Sequence, residues 1–173
     1  MRLGVDEVGV TEVMGVSEHT RALATAAAGL GLDSLDVEHA LVPPLDPSTA
    51  EEPTKALLGE ISGWSEVAMG RRAAPILWRV LAHNPHYLAA TWRKDRALMT
   101  DGVLSAHDKR RTALGVAMAI GRRYMIEYCA TVLKQAGDTD RDILEILGVV
   151  DHYTTLNTLS DGMQIASDIR PSV

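Results

Sequence analysis

Apolar residues recur three and four positions apart in one segment of this chain after another, and nowhere do they alternate with the period of two that a half-buried strand requires. That pattern restricts the chain to helices packed on helices. With no Phe and only 4% aromatic residues, the interior has to be built from Ala, Leu, Val, Ile and Met, and small or unbranched side chains suit close helix packing. An all-α fold is expected, in a 173-residue chain long enough for one good core and short for two domains of ordinary size.

Proline and glycine punctuate the pattern. An Ala-rich stretch over 11–31 reads as a first helix with a glycine stop. Val42-Pro43-Pro44-Leu45-Asp46-Pro47 then forbids helix and reads as a linker or extended strap. Residues 48–63 restart a helix, with Glu51, Glu52 and Pro53 in its first turn. Another begins near Ala74 and carries Ile76, Leu77, Val80 and Leu81 on one face. Asn84 is placed to cap, and Pro85 to open, a helix that buries Leu88, Trp92 and Met99 and closes at Asp101-Gly102. One long helix is expected over 106–136, striped with Leu114, Met118, Gly121, Met125, Cys129 and Val132 and stopped by Gly137. Thr139-x-x-Asp142 has the form of a capping box for a last helix that ends near Asp161-Gly162, with a frayed tail beyond it.

A formal net charge of -6 disfavours broad adhesion to nucleic acid or to an anionic membrane. The lone cysteine, Cys129, excludes an intrachain disulfide. The opening MRLGVDEVGV carries acids where a signal peptide needs a basic stretch, and no apolar run approaches membrane-spanning length. A cytoplasmic protein without nucleic-acid or membrane partners is the expectation.

Taken together, PPLDP (43–47), LWRVLAHNPHYL (77–88), LSAHDKRRTALGVAMAIGRRYMIEYCATVLKQAG (104–137), DTDRDILEIL (138–147) and LNTLSDG (156–162) resemble the alkylhydroperoxidase D / carboxymuconolactone decarboxylase family over residues 43–165. The resemblance implies an alkylhydroperoxidase D-like helical domain at 43–173 behind an N-terminal helical extension at 1–42, which would be an extra helix over the core or an arm exchanged between subunits. It also implies homo-oligomers, trimers or hexamers, with a cleft near a subunit interface. In that family a Cys-x-x-Cys pair and a histidine one turn later share a helix, with a glutamate upstream. Aligned without gaps from Gly121 to Gly137, the present chain has Arg122 and Met125 at the cysteine positions, Cys129 at the histidine and Arg110 at or beside the glutamate. A shift of four residues puts Cys129 on the second cysteine and Ile126 on the first, and the dithiol is lost in both alignments.

Peroxide reduction of that kind needs an attacking thiolate and a second thiol to resolve the sulfenate; methionine and arginine supply neither. The degenerate site is therefore expected to serve non-redox acid–base chemistry on, or binding of, a small anionic or carbonyl-containing molecule. Arg122, Met125 and Cys129 at i, i+3 and i+7 fall on one helical face, so Arg122 and Arg123 are candidate anchors for a carboxylate or phosphate and Met125 a candidate wall. The competing reading of the arginines is ordinary surface ion pairing. Glu127, Tyr124 and His152 are the candidates for proton transfer, against bland readings as a solvated acid, a packed tyrosine and a half-buried polar residue at a subunit contact. Cys129 is a candidate one-cysteine peroxidase centre, set against a small buried apolar residue. His83-x-x-His86 straddles the break at Asn84-Pro85 and has no companion ligands, so neither a metal nor a cofactor is expected. Two whole-protein alternatives remain: a catalytically inactive helical assembly or binding protein, and a residual one-cysteine hydroperoxidase.

Overall fold

A computed structural model describes residues 6–36 and 40–164, and within them the chain is a set of seven α-helices with no strand. The frayed tail expected after Gly162 lies outside the described residues from 165 onward. Helix α1 (Glu7–Gly29) starts earlier than its Ala-rich stretch suggested, because Asp6 caps it by accepting the Gly9 N–H at 2.8 Å. It ends two residues before the expected Gly31 stop, and Gly31 itself takes the left-handed φ of 72° that turns the chain away. Residues 48–53 form turns, so α2 is Thr54–Met69, later at both ends than its charge pattern implied. Pro75 delays α3 to Ile76–Leu81. Helix α4 (Pro85–Leu98) follows the cap expected at Asn84, whose side chain accepts the Tyr87 N–H at 3.1 Å.

The principal correction concerns the long helix expected over 106–136. The structure breaks it into α5 (Ala106–Ala119) and α6 (Arg123–Gln135) at Gly121, which adopts φ 65°. Periodicity could not reveal this break, because the apolar stripe keeps its spacing on both sides of the turn. Helix α7 (Asp140–Gly162) begins with the expected box: the Thr139 hydroxyl accepts the Asp142 N–H, and the Asp142 carboxylate accepts the Thr139 N–H at 2.8 Å.

The core sits where α1 packs on α5 and α6, with α2 to α4 closing the far side. Val16, Leu23, Ala24 and Ala27 of α1 share one apolar cluster with Leu58, Ile61, Leu88, Leu114 and Leu133, so the first helix covers the core of its own chain. Trp92, expected to be buried, is so, and meets the buried Trp78 edge to face at 5.2 Å. Trp64, which the spacing did not single out, joins them with its ring centroid 5.5 Å from that of Trp92.

Helices α5 and α7 are tied through Asp138, whose carboxylate accepts from Arg111 Nε and Nη2 at 3.0 Å each and faces His107 Nε2 at 2.8 Å. The Arg111 hydrogen bonds hold that carboxyl below the usual carboxylate range. A pKa lower in the folded state means that stability is present above the unfolded value, about 3.9, and is lost as pH falls through the folded one. Acid titration of the fold, followed by helical circular dichroism, is expected to show a loss of stability below about pH 4 that Asp138→Asn diminishes.

Candidate functional site

Gly121 leads directly into a pocket of about 400 Å³ between the C-terminal end of α1 and the N-terminal end of α6. Ala24, Ala28, Gly31, Leu32 and Asp33 form one wall, and Gly121, Arg122, Arg123 and Tyr124 the other. Arg122 is the N-cap residue of α6 and makes no side-chain capping bond, so the first amides of the helix lack a side-chain acceptor there. Arg122 and Arg123 are both exposed. Two guanidinium groups beside the positive end of a helix favour an anion.

The helix break also redistributes the other candidates. Arg122 was expected on one helical face with Met125 and Cys129. It stands at the cap instead, while Met125 and Cys129 point into the core at 2% and 1% exposure. Met125 is not among the residues lining the pocket. Burial pushes the Cys129 thiol up to about 12, away from the low-pKa thiolate that a peroxidatic cysteine requires. Tyr124 lines the pocket but is itself buried: its hydroxyl accepts the Leu77 N–H at 3.2 Å, and desolvation raises its pKa well above the ordinary value. Glu127 is half-buried and accepts the Leu35 N–H at 2.9 Å, which ties the segment after α1 onto α6. With Asp33, Arg123 and Ile126 it lines a second, shallower hollow. His152, a candidate for proton transfer, is exposed on α7 within this chain, its ring edge-on to Tyr153. His83 is hydrogen-bonded to the Pro43 carbonyl at 2.8 Å, and among the described residues no group of three ligating side chains forms a metal site.

A second constellation was missed by sequence reasoning. Asp95 of α4 is 1% exposed, with His19 Nε2 of α1 at 3.3 Å from one carboxylate oxygen and Arg110 Nη2 of α5 at 3.6 Å from the other. The Arg110 guanidinium lies 5.5 Å from the centre of the Trp64 ring, which stacks on Tyr128 of α6. Both Asp95 oxygens, His19 Nε2, Tyr128 Oη, Trp78 Nε1 and Thr20 Oγ1 are buried and make no hydrogen bond of good geometry among the described residues. A signal for it existed: His19 falls within the buried stripe Val16, Leu23, Ala27, and Asp95 within Leu88, Trp92, Met99, each a polar residue on an apolar face.

The seven-helix architecture of the described residues is an alkylhydroperoxidase D-like all-helical fold. It is similar to the crystal structure of the alkylhydroperoxidase AhpD core from Rhodospirillum rubrum ATCC 11170, with a TM-score of 0.62 and 25% identity over 73% of this chain and 93% of that one. Residues 85–168 match the carboxymuconolactone decarboxylase family. A comparison with curated proteins gave no match.

Proposed function

We propose that this chain binds a small anionic metabolite, of carboxylate or phosphate type, in the pocket between α1 and α6, and that it is not a dithiol peroxidase. The observation carrying this reading is that Arg122 and Arg123 flank the uncapped start of α6 in an open hollow of about 400 Å³, within the range that ordinary small ligands occupy. With one cysteine in the chain, no dithiol is available to cycle. The burial of Cys129 weighs against a one-cysteine peroxidase as well. A cytoplasmic setting fits the anionic, metabolite-binding role, and among the described residues no helix is long and apolar enough to cross a membrane.

Isothermal titration with butyrate and with inorganic phosphate tests the reading. The parent protein is expected to bind at least one of the two. The double variant Arg122→Ala/Arg123→Ala should weaken it by at least about tenfold, since each charge-assisted contact contributes on the order of 1.5–3 kcal/mol. Because both side chains are exposed, the thermal midpoint should stay where it was. Equal affinity in the double variant, or no binding by the parent, would remove the anion site.

Homo-oligomerisation is part of the same reading. None of the side chains of α7 is fully buried, and its C-terminal half presents Tyr153, Leu156 and Leu159 to solvent, with Met163 at its cap. Contiguous apolar surface of that kind is what symmetric association covers. It is also the observation favouring the second reading, an assembly protein without catalysis. A monodisperse monomer in sedimentation at micromolar concentration would contradict both forms of association.

A further inference from the structure

Charges of both signs line the open cleft between α1 and α6. The pocket of about 400 Å³ holds Arg122, Arg123 and Asp33, and the hollow beside it, of about 320 Å³, holds Arg123, Asp33, Ile126 and Glu127. Arg123 and Asp33 belong to both linings, so the two spaces meet at that pair, and the walls pass from two guanidinium groups to two carboxylates. None of these four side chains forms an ion pair among the described residues. Arg123 and Glu127 stand at i and i+4 on α6, the spacing at which opposite charges on a helix ordinarily meet. Glu127 Oε2 instead accepts the Leu35 N–H at 2.9 Å, which draws the carboxylate towards the segment after α1 and leaves Arg123 without it. Unpaired charges scattered over a surface are ordinary. Here opposite charges share one concave space of ligand size, and a hydrogen bond from another element holds one of them away from its helical neighbour.

We infer that the ligand of this cleft is a zwitterion, an amino acid whose carboxylate pairs with Arg122 and Arg123 and whose ammonium lies between Asp33 and Glu127. The inference rests on the anion reading of the two arginines. Arg123 and Glu127 are one helical turn apart, about 5–6 Å along the axis, so the charged ends of the ligand stand a similar distance apart. An amino acid with several methylenes between its ends meets that spacing, and Ile126 and Leu32 offer those methylenes apolar contact. An ammonium is a compact charge with three donors, enough for Asp33 and for the Glu127 oxygen that Leu35 does not engage. A divalent metal suits the two acids less well, because Arg123 lines the same hollow and no group of three ligating side chains forms among the described residues. A plain anion of the same size gains the arginines and meets the two carboxylates as repulsion. The arginines therefore supply affinity, and the acids select the ligand that also carries a positive charge.

The test compares 4-aminobutyrate, whose nitrogen stands about 5 Å from its carboxyl carbon when extended, with butyrate, by calorimetry on the full-length protein near neutral pH. The parent is expected to prefer 4-aminobutyrate by at least about tenfold. Asp33→Asn/Glu127→Gln should bring the two probes to within about twofold of each other, since the glutamine keeps an oxygen for the Leu35 N–H and loses only the charge. Asp33→Asn alone, at an exposed position, should cut the preference at least about threefold, and it carries the test should the double variant not fold. Arg122→Ala/Arg123→Ala should weaken 4-aminobutyrate by at least about tenfold. Equal binding of the two probes by the parent, or a preference that survives the acid variants, overturns the zwitterion and leaves the anion pocket standing. A parent that binds inorganic phosphate and neither probe does the same. Arginine variants that bind both probes like the parent overturn the anion reading and the zwitterion with it.

Discussion

Asp95→Ala is expected to destabilise the fold by about 3–5 kcal/mol, the cost of removing one partner from a buried charged group. The carboxylate is 1% exposed and faces Arg110 and His19, themselves 8% and 1% exposed, so deleting it leaves a largely buried guanidinium without its counter-charge. A loss of that size is a large share of the stability of an ordinary domain, commonly 5–15 kcal/mol. It is read as a lower denaturant midpoint with the slope unchanged. The companion variant His19→Leu/Asp95→Leu/Arg110→Met removes every member together and should cost far less, because an apolar replacement of a whole buried ion pair is often neutral. Should Asp95→Ala unfold at the parental midpoint, Arg110 is not held by Asp95 and the geometry of the inner cluster is wrong.

Cys129 should be nearly inert in the native protein. With its thiol pushed to about 12 by burial, the thiolate fraction at pH 8 is on the order of a thousandfold below that of a free cysteine of pKa about 8.5. Labelling by a chromogenic disulfide reagent should thus run at least about a thousandfold slower in buffer than in denaturant, and organic peroxide should persist equally with the parent and with Cys129→Ser. The same shift carries a pH sign. A thiol whose folded pKa is raised contributes stability that is intact below the unfolded value of about 8.5 and lost as pH climbs towards the folded one. Cys129→Ser should flatten that alkaline decline. Rapid native labelling, or peroxide turnover that disappears in Cys129→Ser, would restore the one-cysteine reading.

Both predictions concern one buried neighbourhood. Arg110 and Cys129 lie in it together, and the Arg110 charge acts on the Cys129 thiol. His19 enters it from α1, outside the segment that matches the family.

How much of this could be read in advance differs from element to element. Asn84-Pro85 and Thr139-x-x-Asp142 announce their helix starts because capping is local: the side chain and the amides it satisfies lie within three residues. The stripes of α1, α4 and α6 announce which faces are buried for the same reason, since a helix repeats every 3.6 residues whatever it packs against. The sole cysteine excludes the dithiol with no structure at all. The break at Gly121 was not legible, because the glycine lies on the stripe and its left-handed φ depends on how α5 and α6 fold back on each other. That break separates Arg122 from Met125 and Cys129, which period alone had placed together. The meeting of His19, Asp95 and Arg110 was still further out of reach: they are separated by 76 and 15 positions, and only the packing of α1 and α5 against their neighbours joins them. Local geometry is written in neighbouring residues, whereas the contents of a buried site are decided by which distant helix faces the fold presses together, and the energy of that choice resides in the whole core.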